Sequence, residues 1–379
     1  MSVSKSIPSS AARTRVLVVD DSAFMRRLVS DVVTESGEFE VVGTARDGAD
    51  ALRQVMLLDP DVVTLDVDMP GHDGLEALQE IMRSAPRPVV MLSAGGADGG
   101  VDATLRALEL GAVEFVRKPS GTISLDLDDV REQLLDALRA AACSNRLSLG
   151  ASLGVDSASA AVAPVARSVA RNATNAFSVQ YATQIICIAS STGGPAALAR
   201  VVPKLPRFAR AAVVIAQHMP AGFTQSLAQR LDTGAQLVVR EAVHNAPVLA
   251  GHAYLAPGGF HLRVSVIDGV PRCLLDTSPT LWGVRPAADY LFVSAALAFG
   301  AACVGVVLTG MGCDGAAGLF AVRHAGGRGI VQDAASSVIA GMPMAALQHA
   351  GAEHVVSLDR VAETIASLID ALEGAEFSI

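Results

Sequence analysis

Two groups of residues in this chain have the types and spacing to do chemistry. The first comprises Asp20, Asp21, Asp66, Ser93 and Lys118, each at or directly after the end of a short apolar run. Three carboxylates brought close together cannot all stay ionised without a compensating charge. Mg²⁺, a hard cation that prefers oxygen ligands, is the natural one. An anion such as a phosphoryl group could then bind between metal, lysine and hydroxyl. Asp66 is best placed as nucleophile because it ends the central run, while Asp20 and Asp21 stand where they can hold the metal. A single carboxylate at a strand end is more often a helix cap or a solvated loop residue; five suitable residue types on one rim argue against that reading for the set.

The second group joins three segments. The turn Ala189-Ser190-Ser191-Thr192-Gly193-Gly194-Pro195 precedes an Ala-rich helix, Gln217-His218-Met219-Pro220 follows an apolar run, and Thr309-Gly310-Met311-Gly312-Cys313-Asp314-Gly315 follows another. A serine on that turn lies beside a helix N-terminus, whose free N–H groups can stabilise an oxyanion. Serine is a poor nucleophile at neutral pH and needs a base, worth roughly 10²–10⁴ in rate. His218 can supply it, and Asp314 can fix the tautomer. Competing chemistry is less well served. A phosphate cradle would want the lysine of a P-loop or a full dinucleotide fingerprint, and neither is there. Cys313 adjoins the aspartate and does not occupy the helix-start turn, which disfavours a Cys313–His218 thiol pair. His252 and His261, in a Gly- and Pro-rich stretch, read as structural histidines and not as metal ligands. The order Ser, His, Asp and the lack of a GxSxG elbow disfavour a lipase-like α/β-hydrolase.

The elements that must position these residues are legible as alternating periods. From Arg13 to Arg139 the runs Val16–Val19, Val41–Gly43, Val62–Leu65, Val89–Leu92 and Glu114–Val116 alternate with helical patterns, which predicts a five-stranded parallel sheet covered on both faces. Ligands of such sheets sit beyond the carboxyl ends of the strands, where the first group lies. Residues 140–180 are an Ala- and Ser-rich linker with at most a short helix at Val165–Ala170. Alternation resumes over 181–374 with Ile185–Ile188, Ala212–Ile215, Val304–Leu308 and Gly329–Val331, predicting a doubly wound, mainly parallel α/β domain. The stretch Gln236–Leu275 is expected to add strands or a hairpin at an edge.

Length and composition agree with two domains: 379 residues, 51% hydrophobic and 18% charged. A net charge of −9 makes nucleic acid and anionic lipid unfavourable partners. The N-terminal MSVSKSIPSS has no apolar signal segment, so a cytoplasmic location is expected. Five cysteines without CxxC spacing read as reduced thiols. The uncharged stretch Tyr290–Cys313 has the length of a membrane span, but it breaks at Phe299-Gly300 into a helical half and a strand, so no membrane insertion is expected.

The blocks VLVVDDSAFMRRL, VVTLDVDMPGHDGLEAL, VVMLSA and EFVRKPSG resemble response-regulator receiver domains across the whole first domain. The resemblance implies phosphorylation of Asp66 by a partner histidine kinase, Mg²⁺ held through Asp20, Asp21, Asp66 and the backbone of Asp68, and a conformational response through Ser93 and Lys118. The blocks ASSTGGPAAL, VVIAQHMPAGFTQSLAQRL, GHAYLAPGG, RPAADYLFVSAA, VVLTGMGCDGAAGL and GMPMAAL resemble the protein-glutamate methylesterase domain of the CheB family. That likeness implies a carboxylic ester hydrolase acting on glutamate γ-methyl esters of chemoreceptor cytoplasmic helices, with deamidation of receptor glutamine and no cofactor for the ester reaction. By motif position it makes Ser191 the nucleophile, His218 the general base and Asp314 the orienting acid, with Thr192 and the backbone of Met311 as helpers. Ser190, Cys313 and Ala287 stand where the family often has Ala, Asn and Ser. The intact triad argues against the alternative of a phosphorylation-gated adaptor with an inactive esterase fold. The second domain is too large, too acidic and too rich in parallel strands for a helix-turn-helix module.

Overall fold

A computed structural model describes residues 13–69, 73–93, 99–118, 126–144 and 180–376. They form two compact units. In the first, β1 (Thr14–Val19), β2 (Phe39–Ala45), β3 (Val62–Asp66), β4 (Val89–Ser93) and β5 (Glu114–Arg117) make one parallel sheet in the order β2-β1-β3-β4-β5. β3 and β4 are buried along their full length, as strands covered on both faces must be, and this is why they read as unbroken apolar runs. The connecting helices of this unit are α1 (Ala23–Glu35), α2 (Gly48–Leu58), α3 (Gly74–Ser84) and α5 (Asp126–Cys143), and in the chain α4 (Gly99–Glu109) stands between β4 and β5. Ser22, Asp47 and Asp73 cap α1, α2 and α3 with side-chain oxygens that accept first-turn N–H groups. The strand order reverses direction at β1 and β3, which opens a crevice at their carboxyl ends. Most of the linker, including Val165–Ala170, lies outside the described residues.

The second unit is built on seven strands, every neighbouring pair parallel, in the order β14-β13-β12-β6-β7-β9-β8. In chain order these are β6 (Gln184–Ser190), β7 (Ala211–Gln217), β8 (Val238–Glu241), β9 (His252–Leu255), β12 (Cys303–Val307), β13 (Arg328–Gln332) and β14 (His354–Val356). Helices α6 (Gly194–Val201), α7 (Phe223–Gly234), α8 (Ala288–Phe299), α9 (Ala316–His324), α10 (Gly341–Ala350) and α11 (Leu358–Glu376) connect them. The stretch Gln236–Leu275 divides its strands. β8 and β9 extend the sheet at one edge, whereas β10 (His261–Ile267) and β11 (Val270–Asp276) pair antiparallel as a sheet of their own. Asp268-Gly269, both at positive φ, close that hairpin. Tyr290–Cys313 divides as expected into most of α8 and all of β12 with the loop after it, and no described helix is long and apolar enough to cross a membrane.

Phe292 on α8 is fully buried in the core of this unit. Gly305 on β12 and Gly318 on α9 make room for it: a Cβ on Gly318 would stand 2.6 Å from the Phe292 Cβ. Phe292→Ala should destabilise this unit by about 3–5 kcal/mol. Denaturant unfolding followed by fluorescence of Trp282, the chain's one tryptophan, checks it.

Candidate active site

In the first unit, Asp20 and Asp66 follow or end adjacent central strands and are buried. Lys118, directly after β5, bridges them, with Nζ 2.7 Å from Asp20 Oδ2 and 2.7 Å from Asp66 Oδ1. The Asp68 N–H donates to Asp66 Oδ1 at 3.2 Å, and the Lys118 N–H donates to the Ser93 carbonyl at 2.7 Å. All five sequence-predicted residues, with Asp68, therefore meet at one rim. Gly74 at the start of α3 permits this closeness, since a Cβ there would lie 2.0 Å from the Asp66 carbonyl oxygen.

Carboxylate oxygens of Asp20, Asp21 and Asp66 lie within 4.8 Å of one another. Three carboxylates against one ammonium leave an excess of negative charge, and Asp66 Oδ2 is buried without a hydrogen-bond partner. A buried, unpartnered carboxylate oxygen costs free energy. A hard divalent cation would relieve both, so this donor set fits Mg²⁺ held by Asp20, Asp21 and Asp66. Burial raises the Asp66 pKa, and Lys118 only partly opposes it. Burial also disfavours the Lys118 ammonium, but Asp20 and Asp66 more than offset this, and Lys118 titrates above the ordinary lysine value.

In the second unit, β12, β6 and β7 are neighbours at the centre of the sheet. The register pairs Ser190 with Gln217, so Ser191 and His218 occupy the next positions of adjacent strands. The His218 N–H donates to the Ser190 carbonyl at 3.1 Å, and the Ser191 N–H to the Thr309 carbonyl at 3.0 Å. His218 Nε2 lies 2.7 Å from Asp314 Oδ2. Asp314 is 1% exposed. Its Oδ2 also accepts the Ala288 N–H at 2.6 Å, and its Oδ1 those of Asp289 at 2.9 Å and Gly315 at 3.0 Å. Both oxygens act as acceptors, so Nε2 must be the donor, which leaves Nδ1 of the neutral ring as the basic nitrogen. Among the described residues, neither Nδ1 nor the Ser191 hydroxyl has a hydrogen-bond partner. Bonds between such groups tighten on substrate binding.

Thr192 is buried, and its carbonyl accepts the Thr309 hydroxyl at 3.0 Å. Met311 is 45% exposed and follows Gly310, where a Cβ would stand 2.8 Å from the Ser191 Cβ. Gly193, at φ +75°, precedes α6, which has no side-chain cap. Burial, with the nearby Asp289 and Asp314 carboxylates, raises the Cys313 pKa, which suits a protonated thiol and not a thiolate nucleophile. His252 and His261 bond backbone carbonyls, of Ala250 and Pro279.

Two residues of this site escaped the sequence reading. Gln217 is buried beneath the turn, where its Oε1 accepts the Ser190 hydroxyl at 2.7 Å. Its Nε2 donates to the carbonyls of Ser191 and His218, each at 3.0 Å. One amide thus ties the serine and the histidine together, and Ser190 orients it. The buried Asp289 accepts N–H groups of Gly315 at 3.0 Å and Gly318 at 2.7 Å through Oδ1, capping α9 directly after Asp314. A lone polar residue ending an apolar run was the available signal for Gln217.

The fold and the two strand-tip sites define a receiver linked to a hydrolase, and comparison with known proteins places the chain within that class. Residues 16–127 match the response regulator receiver domain family and residues 186–365 match the CheB methylesterase family. Three relatives described as protein-glutamate methylesterase/protein-glutamine glutaminase match nearly end to end. That of Pyrococcus abyssi is 40% identical over 372 residues, covering 97% of this chain and 97% of the relative. That of Symbiobacterium thermophilum is 44% identical over 357 residues, covering 93% and 96%. That of Bacillus subtilis is 41% identical over 356 residues, covering 94% and 98%. The chain belongs to the CheB family, the response-regulator methylesterases of two-component chemotaxis signalling.

Two outcomes follow from these geometries. In Gly194→Ala the new Cβ would lie 2.0 Å from Gln217 Oε1, displacing the amide from both carbonyls; steady-state kinetics should show kcat for ester hydrolysis falling roughly 10²-fold. Lys118 holds its proton more tightly folded than unfolded, so its stabilisation is full below the unfolded pKa of about 10.4 and is lost as pH rises through the higher folded value. In metal-free buffer, calorimetry above pH ~10 should show the receiver's Tm falling more steeply for wild type than for Lys118→Met.

Proposed function

We propose that this chain hydrolyses glutamate γ-methyl esters, and deamidates glutamines, on the cytoplasmic helices of chemoreceptors, and that phosphorylation of Asp66 by a histidine kinase of the chemosensory system activates it. The observation that carries the ester chemistry is the 2.7 Å contact between His218 Nε2 and the buried Asp314 carboxylate, with Ser191 and His218 directly following the register pair Ser190–Gln217 of two neighbouring strands.

Ser191 Oγ attacks the ester carbonyl while Nδ1 of His218 takes the hydroxyl proton. Asp314 holds the resulting imidazolium through Nε2–H and stays ionised. Thr192 and the backbone N–H of Met311 help to stabilise the oxyanion, and preorganised donors of this kind are typically worth 10²–10³ in rate each. The C–O bond to the methoxy group then breaks, the leaving oxygen takes the proton from Nδ1, and methanol departs. Water, deprotonated by Nδ1, attacks the acyl-serine, and glutamate and free Ser191 are regenerated. With glutamine the leaving group is ammonia.

In the receiver, an Asp66 carboxylate oxygen attacks the phosphoryl group carried by the kinase's histidine; the O–P bond forms as the P–N bond breaks, and the kinase imidazole is the leaving group. Asp20, Asp21, Asp66 and the backbone of Asp68 would hold Mg²⁺, which would supply charge neutralisation there. Lys118 and Ser93 bond the phosphoryl oxygens, and the changed hydrogen bonds at this rim shift the population toward the active form.

Methanol release from methylated receptor tests both halves. Ser191→Ala should lose at least 10³-fold of the rate, and retention of turnover would refute the acyl-transfer assignment. A small phosphodonor with Mg²⁺ should accelerate wild type, and that acceleration should vanish in Asp66→Asn.

A further inference from the structure

Trp282 is the chain's one tryptophan and is 59% exposed, on the loop joining β11 to α8. An exposed aromatic ring on a loop is ordinarily free to move, but this one is held. Its indole N–H donates to Asp289 Oδ2 at 2.9 Å. Its backbone is left-handed, φ +57°, with Gly283 after it at +79°, and bulky side chains rarely adopt that conformation. Leu281 and Val284 exchange N–H···O bonds of 3.2 and 3.1 Å across the tip. Below the tip, Arg285 Nη1 donates to the carbonyls of Thr277 and Ser278, each at 3.0 Å. His261 accepts the Ala287 N–H at Nδ1 and donates to the Pro279 carbonyl, both at 3.1 Å.

The same loop ends on the catalytic acid. The Ala288 and Asp289 N–H groups bond Asp314, and the second oxygen of Asp289 caps α9. One buried carboxylate therefore joins the exposed indole to the backbone that seats Asp314. Folding alone does not account for this, because a ring left largely in water contributes little hydrophobic stabilisation. Uncommon backbone conformations held in place by surrounding bonds cluster at ligand clamps. A rigid, exposed tryptophan is the kind of side chain that anchors polypeptide recognition.

We propose that Trp282 is a substrate-binding residue: its indole ring receives the polypeptide that carries the methyl ester, and Asp289 positions that ring relative to the His218–Asp314 pair. This rests on the methylesterase reading above. Asp289 and Asp314 stand between the ring and the imidazole, so the ring meets the chain flanking the modified glutamate and not the ester itself. The loop thereby selects for an ester presented on a polypeptide.

The test uses full-length Ser191→Ala, which keeps the ester intact, and a methylated receptor cytoplasmic fragment. Titration should shift Trp282 emission saturably, with the same midpoint as binding measured by calorimetry. Adding Trp282→Ala should weaken binding at least fivefold, and Trp282→Phe, which keeps a ring, should recover most of the loss. Calorimetric binding with unchanged tryptophan emission, or equal affinity in Trp282→Ala, overturns the proposal, and the emission arm stands even if Trp282→Ala fails to fold. A wild-type chain that neither binds nor demethylates the fragment overturns the methylesterase reading and this inference together, whereas demethylation with a silent Trp282 overturns the inference alone.

Discussion

The carboxylate of Asp314 is the constraint on which the second unit turns. A buried charge without partners is among the most expensive features a fold can carry. Here three backbone N–H groups and one imidazole N–H surround it. Two of those N–H groups, from Ala288 and Asp289, belong to the first turn of α8, so the positive end of that helix faces the carboxylate. Because every acceptor site is taken by a donor, the histidine tautomer is determined by the backbone around the acid. The identity of the basic nitrogen, the placement of α8 and the start of α9 all follow from seating this one charge.

The two sites use the same architecture for opposite electrostatic ends. In both, a parallel sheet delivers side chains from neighbouring strand tips to one rim, where the crevice lies. The receiver rim is left deliberately short of positive charge, with one ammonium against three carboxylates and an unpartnered oxygen on Asp66. The hydrolase rim has its acid fully satisfied, and among the described residues the Ser191 hydroxyl and Nδ1 of His218 have no hydrogen-bond partner. One rim is poised to take up a cation and an anion; the other is poised to move a proton.

Glycine determines how closely these parts approach. Gly74, Gly194 and Gly310 each stand where a Cβ would collide with a functional residue or its support, at 2.0 Å from the Asp66 carbonyl, 2.0 Å from Gln217 Oε1 and 2.8 Å from the Ser191 Cβ. Helix α3, helix α6 and the loop after β12 can therefore press against the site itself. The supporting layer of Gln217, Thr309 and Asp289 then holds the reactive groups in place through backbone bonds.

The sequence by itself determined the strands and what ends them. Burial on both faces makes a parallel strand an apolar run, and a charged or hydroxyl residue after it stands out; Asp20 and Asp66 were legible directly at the run's end, and Lys118, His218 and Asp314 in the short segments that follow such runs. Tertiary structure alone decided which of these meet and through which atoms. Strand order put β12 beside β6 and sent β9 between β7 and β8, while the β10–β11 hairpin left the main sheet, because pairing across long separations depends on how whole elements pack. The amide of Gln217 and the carboxylate of Asp289 were silent for the same reason. Periodicity records which face a residue takes, whereas a hydrogen-bond partner 26 or 29 residues away is chosen only when the chain has closed around both.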